Sequence, residues 1–172
     1  MILTVGHSTH PIEEFLELLA AHGVAQLIDV RTIPKSRRNP QYNNDALAEA
    51  LQRAQIRYQH MPGLGGLRHA RKDSINTAWQ NASFRGYADY MQTPEFEAGL
   101  HQLIDAASQH RTVIMCAEAV PWRCHRSLIA DALLARGIAA AHIMSKKPAK
   151  THAFTPFAHV EGERVTYPGL VP

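Results

Sequence analysis

The stretch TVIMCAEAVPWRCHR, residues 112–126, decides how this chain is read. Its first half, Val113-Ile114-Met115, is an apolar run that predicts a buried strand. Cys116 and Glu118 stand at the strand's end, and a loop punctuated by Pro121 follows. Cys124, His125 and Arg126 then open an amphipathic segment, Ser127 to Arg136, that predicts a helix closed by Gly137. Two thiols, a carboxylate, an imidazole and a guanidinium therefore fall between a strand's carboxyl end and a helix's amino end. Open α/β sheets place their ligands there, and the unpaired N–H groups of a helix start attract anions.

Working outward, the same alternation repeats. Ile2-Leu3-Thr4-Val5 predicts a first strand, followed by a turn at Gly6-His7-Ser8-Thr9. Pro11 suits a first helical position, and Ile12, Phe15, Leu16 and Leu19 share one helix face up to His22-Gly23. Gln26 to Val30 is a second strand. It comes one helix-length later, so a right-handed parallel crossover is the natural connection. Thr32 to Asn43 reads as a loop, Asp45 to Gln55 as a helix, Ile56 to His60 as a third strand, and Met61 to Leu67 as a glycine-rich turn. Ser83 to Met91 carries enough aromatic residues for a short packed helix. Thr93-Pro94-Glu95 is a strong helix start. Beyond residues 112–137, Ala139 to Met144 predicts a further strand, and residues 158–167 a small terminal hairpin. The expected fold is α/β: a three-layer α/β/α domain with a mostly parallel sheet and a small C-terminal hairpin. Residues 1–172 are read as a single domain, a length that supports one real core.

Composition narrows the function classes. The apolar share of 45% argues against disorder. No apolar run approaches the roughly 20 residues of a membrane helix, so no membrane partner is expected. The amino terminus shows no basic region followed by a cleavage site, which points to a cytoplasmic chain. With two cysteines, disulfide stapling is not expected and both thiols are read as reduced. The net charge of +3 is modest, but the basic residues cluster. One group is Arg31, Lys35, Arg37 and Arg38; a second is Arg68, Arg71 and Lys72; a third is Lys146, Lys147 and Lys150. Gathered on one face they would suit a phosphate-bearing partner; apart, they are solvated loop charges.

In a parallel sheet the strand ends share one rim. His7 and Ser8 follow the first strand; Asp29, Arg31, Ser36 and Arg37 follow the second; Gly65 and Gly66 follow the third. The central stretch contributes Cys116, Glu118, Cys124, His125 and Arg126, and the last strand His142. Agreement among five strand ends makes a shared cleft the expectation.

Three blocks together, VGHST with LIDVRTIPKSRR, then MPGLGG, then CAEAVPWRCHR, resemble the DUF488 family of small bacterial and archaeal proteins. The resemblance runs from residue 2 to about 167. It carries Gly6, His7, Ser8, Asp29, Arg31, Pro34, Ser36, Arg37, Gly65, Gly66, Cys116, Glu118, Cys124, His125 and Arg126 as matching positions. It implies this fold and this rim, and no particular reaction. LIDVR also resembles a rhodanese-like strand, but the segment after Cys116 lacks that family's loop glycines, which argues against sulfur transfer.

Each rim residue has a chemical and a structural reading. Cys116 is a candidate nucleophile, because a thiol near His125, Arg126 and a helix start ionises more easily; otherwise it is buried packing. Cys124 reads as a second redox thiol, a metal ligand or packing. Glu118 is a candidate acid, base or nucleophile, or the partner of Arg126 or Arg31 in an ion pair. His125 and His7 are the candidate proton carriers, His7 alternatively a loop cap. Arg31, Arg37 and Arg126 are the candidate anion ligands, with Ser36 and Ser8 adding hydroxyls and Gly65 and Gly66 allowing close backbone approach. Asp29 is read as structural. The cysteine and histidine spacing matches no standard zinc motif, so no metal is assigned and the cofactor stays unknown. The leading expectation is an enzyme binding a small anionic molecule, phosphate-bearing or nucleotide-like. The alternatives are a nucleic-acid-binding module and, behind it, a thiol redox sensor. Oligomeric state is not legible.

Overall fold

Alternate residues of the buried strands point to opposite faces. Ile2, Ile28, Ile114 and Cys116 belong to one apolar core, and Leu3, Leu27, Val113 and Met115 to another. A sheet with two apolar faces must be covered twice, and the computed structural model, which describes residues 1–170, shows that arrangement. The last two residues of the expected 1–172 domain lie outside the described residues.

The strands are β1 (Ile2–Gly6), β2 (Gln26–Asp29), β3 (Arg57–His60), β4 (Thr112–Cys116), β5 (Ala140–His142) and β6 (Lys150–Thr151). They form one sheet in the order β3-β2-β4-β1-β5-β6. β1 to β5 pair in parallel, and β6 closes the edge antiparallel to β5. Helices α1 (Ile12–Ala21) and α2 (Asn44–Arg53) bury Phe15, Leu19, Leu47 and Leu51 on one face. Helices α3 (Ala82–Tyr90), α4 (Pro94–Ala107) and α5 (Arg126–Ala135) bury Tyr87, Phe96, Leu100, Leu128 and Leu133 on the other. The hairpin of β7 (His159–Glu161) and β8 (Arg164–Thr166) turns at Gly162, whose φ of +60° suits glycine. The three-layer α/β/α reading holds, and strand order, illegible in the sequence, is now set. β6 is the one strand without a sequence signal, being two exposed residues with no apolar pattern.

β4 lies at the centre of the sheet, between β2 and β1. Its register is tight: Gly6 sits opposite Cys116, and Asp29 opposite Met115. The loops leaving β1, β2, β3 and β4 therefore crowd one edge. After β4 the chain passes over the end of β1, where His7 and Ser8 donate backbone N–H bonds to the Cys116 and Ala117 carbonyls, each at 2.9 Å. A Cβ on Gly6 would run into the Glu118 carbonyl, so only glycine lets the two backbones approach this closely.

Candidate active site

The loop of residues 117–125 makes a short helical turn at Pro121–Arg123 and returns Cys124 to the end of β4. The sulfurs of Cys116 and Cys124 meet as a disulfide, so no cysteine among the described residues is free. This corrects the expectation of two separate, reduced thiols. Neither composition nor a spacing of eight residues indicates the pairing; it follows from the way the loop doubles back onto the strand.

Each sulfur has its own polar neighbour. Arg126 Nη1 lies 2.8 Å from Cys116 Sγ. His125 Nδ1 lies 3.6 Å from Cys124 Sγ. His125 Nε2 is 2.9 Å from the Val30 carbonyl, so that nitrogen carries the ring proton. Nδ1 is left as a lone pair facing Cys124. Burial, chiefly, pushes the His125 pKa down to about 4, which keeps the ring neutral and leaves Nδ1 a hydrogen-bond acceptor. Gly66 packs on this ring, and a Cβ there would lie 2.6 Å from Nδ1.

The disulfide opens onto a cleft of about 370 Å³. Of the residues read from the sequence, Arg31, Gly66, Cys116, Glu118, Cys124 and His125 line it. Lys35, Arg123, Thr32 and Ser83 join them. Lys35 belongs to a basic cluster in the sequence, and Arg123 stands inside the organising stretch, but neither carries a pattern that singles it out as a cleft residue. Glu118 is exposed, and its carboxylate makes no ion pair among the described residues; its backbone carbonyl accepts from Arg126.

Two of the expected anion ligands are largely committed to the protein itself. Arg126 is fully buried behind Cys116, not facing solvent. Its Nε donates to Thr4 Oγ1 at 3.2 Å, Nη1 to the Glu118 carbonyl and Nη2 to the Ala119 carbonyl at 3.0 Å. A guanidinium so committed holds the loop and the sulfur and is not a direct ligand for a substrate anion. Arg31 is committed as well. Asp29 accepts from its Nε at 2.9 Å and its Nη2 at 2.8 Å, and the Tyr42 carbonyl accepts from Nη2 at 2.7 Å. The Tyr58 hydroxyl donates to the same carboxylate at 2.7 Å. Only Nη1 of Arg31 remains for other partners, 3.5 Å from His7 Nε2.

His7 lies below the cleft, stacked on Tyr42 with ring centroids 4.1 Å apart. Its Nδ1 donates to the Ser8 carbonyl at 2.8 Å, and burial lowers its pKa to about 4. Ser8 takes a φ of +48° at the turn out of β1. The Ser36 hydroxyl accepts from the Asn39 N–H and Arg37 is exposed, so both serve the outer loop. Gly65 packs on Thr32. Of the three basic clusters, only the first lines the cleft, through Arg31 and Lys35. Arg68 lies over Tyr90, Arg71 pairs with Asp73, and Lys146 pairs with Glu17. No group of three potential metal ligands converges among the described residues.

These features define a class: an α/β domain wound on both faces of a parallel sheet, with a cysteine pair and basic side chains in a cleft at the carboxyl edge. The chain belongs to the DUF488 family, described as a domain of unknown function, which matches residues 11–133. No curated protein and no solved structure matches it. None of its helices is long and apolar enough, among the described residues, to cross a membrane.

Proposed function

We propose that the protein is a thiol-dependent enzyme for a small anionic substrate, with Cys116 as the attacking thiolate and Cys124 as the second thiol. The observation that carries this reading is the meeting of two sulfurs on the floor of a basic cleft, each beside a different polar group. Arg126 favours the Cys116 thiolate by charge. His125 offers Cys124 a hydrogen-bond acceptor that orients its thiol. Lys35 and Arg123 supply the anion's counter-charge, and the spare edge of Arg31 a hydrogen-bond donor.

The chemistry that suits two such thiols is a two-electron reduction. The Cys116 thiolate attacks an electrophilic atom of the oxidised anion and displaces an oxygen substituent from it, which leaves as hydroxide or water, so that a sulfur–substrate bond replaces the bond broken. Cys124, its proton passing to solvent, then attacks the Cys116 sulfur. The substrate fragment leaves with the bonding electron pair, and the disulfide remains for an external thiol to reduce. A nucleic-acid role is supported less, because the three basic clusters do not share the cleft. A redox sensor would use the same sulfurs but has no need of the basic wall.

The test is the alkylation rate of each thiol against pH, in reduced protein, with Cys116→Ser and Cys124→Ser assigning the signals. Cys116 is expected to react with an apparent pKa well below the roughly 8.5 of a free thiol. Inorganic phosphate or a nucleotide should slow the reaction. Slow, unprotected alkylation of Cys116 with an ordinary pKa would overturn the proposal.

A further inference from the structure

Arg126 is not held by its neighbours in the loop alone. Its Nε donates to Thr4 Oγ1, and Thr4 Oγ1 lies 2.6 Å from His142 Nδ1. His142 Nε2 lies 2.8 Å from His152 Nδ1, and His152 Nε2 lies 2.7 Å from Asp131 Oδ1. Asp131 is fully buried and also accepts from the Thr155 N–H and from the Thr155 and Tyr167 hydroxyls. β1, α5, β5 and the segment after β6 thus each contribute a link to one continuous path from the Cys116 sulfur to a carboxylate.

One arrangement of protons satisfies both ends of the path. With Asp131 accepting and His152 carrying a single ring proton, His152 donates from Nε2 and its Nδ1 accepts. His142 then donates from Nε2 and accepts at Nδ1. The Thr4 hydroxyl donates to that nitrogen, which leaves its oxygen free to accept from Arg126. The scheme requires a neutral His142; the ring is 5% exposed, and burial drops its pKa to about 4. In this arrangement all donors run from the guanidinium toward the carboxylate, and every link is satisfied.

We propose that Asp131, His152, His142 and Thr4 are positioning residues that lock Arg126 against Cys116 and thereby set how readily that thiol ionises. The inference rests on the reading of Cys116 as the attacking thiolate. The charged and titratable groups around this sulfur are Arg126 on α5, Cys124 and His125 at the start of that helix, Glu118 in the loop, and Arg31, Lys35 and Arg123 around the cleft. Of these, Arg126 alone donates a side-chain hydrogen bond to it, so loosening Arg126 acts on the sulfur first.

The experiment uses the full chain, reduced, in a Cys124→Ser background. Thr4→Val keeps the shape and removes the hydroxyl; Thr4→Ser keeps the hydroxyl. Thr4→Val and His142→Phe are expected to raise the apparent pKa of Cys116 by about one, a tenfold slower alkylation by iodoacetamide at pH 6, while Thr4→Ser keeps the parental rate. Separately, histidine nitrogen NMR of the reduced wild-type chain at neutral pH should find both His142 and His152 protonated at Nε2. An Nδ1-protonated ring at either position overturns the relay without any variant needing to fold. If the parent's Cys116 already titrates like a free thiol, the enzymatic reading fails. If it is acidified in the parent and unmoved in folded Thr4→Val, the relay alone fails.

Discussion

Asp29→Ala is the substitution that shows how much of the polar rim is scaffold. Asp29 is fully buried and Arg31 is 7% exposed. The carboxylate accepts from Arg31 Nε, Nη2 and backbone N–H, and from Tyr58. Removing it strands the guanidinium in the interior with the Tyr42 carbonyl as its one close acceptor. Breaking a buried pair on one side costs about 3–5 kcal/mol. Native domains hold a total of about 5–15 kcal/mol. At about 2–4 °C of melting temperature per kcal/mol for a chain of this size, the midpoint falls by about 6–20 °C. Urea unfolding gives the same quantity without heating. The control is Asp29→Leu combined with Arg31→Met. With neither charge left to desolvate, the double variant should lose less stability than Asp29→Ala alone. Tyr58→Phe removes a single bond to a charged acceptor and should cost about 1.5–3 kcal/mol. A loss below about 1 kcal/mol in Asp29→Ala, the scale of an exposed ion pair, would refute the reasoning. So would a double variant whose cost is the sum of the singles.

Two further outcomes follow from burial and from backbone contact. Burial depresses His7, His125 and His142 to about 4, against 6.5 in the unfolded chain. Below pH 6.5 the unfolded chain therefore binds protons that the folded chain refuses. The stability these rings contribute is complete above pH 6.5 and is lost as pH falls toward 4, at up to about 1.4 kcal/mol per pH unit per ring. Urea midpoints measured from pH 7.5 to 4.5 should show that decline, and a stability that stays flat over the range would exclude it. Gly6→Ala drives a methyl group into the Glu118 carbonyl, which is backbone and cannot rotate away. Overpacking of this kind costs about 1–3 kcal/mol, and because the same carbonyl holds Arg126, Cys116 alkylation should slow as well. Unchanged stability together with unchanged alkylation in Gly6→Ala would show that the two backbones do not meet as described.

The fold was legible because its signals are local. Apolar strands, a Pro94 helix start and glycines after helix ends each act within a few residues, and all agree with alternating strands and helices. The cleft was legible because parallel strands share a rim, a rule that needs no knowledge of strand order. What escaped was whatever depends on distant residues meeting. The Cys116–Cys124 contact depends on the path of one loop. Lys35 and Arg123 enter the cleft only through loop placement. The relay joins Thr4 to His142 across 138 positions and then His152 to Asp131, none of which carries a periodic or compositional mark.

Arg31 and Arg126 looked alike in the sequence, two arginines at strand and helix ends suited to an anion, and their partners separate them. Arg31 has its carboxylate at 2.8 Å. The pair is close to neutral, so it projects little field into the cleft and mainly fixes the loop. Arg126 makes no direct ion pair among the described residues: Glu118 offers it a carbonyl, not a carboxylate, and Asp131 is reached only through Thr4 and two histidines. A guanidinium neutralised at contact would lend a thiolate almost nothing. One whose counter-charge is set back by a hydroxyl and two imidazoles keeps its field at the sulfur, while its buried donors still have partners. A purely structural network would be better served by the arrangement at Arg31. Its absence at Arg126 is the physical argument behind the proposal that Cys116 is the attacking thiolate.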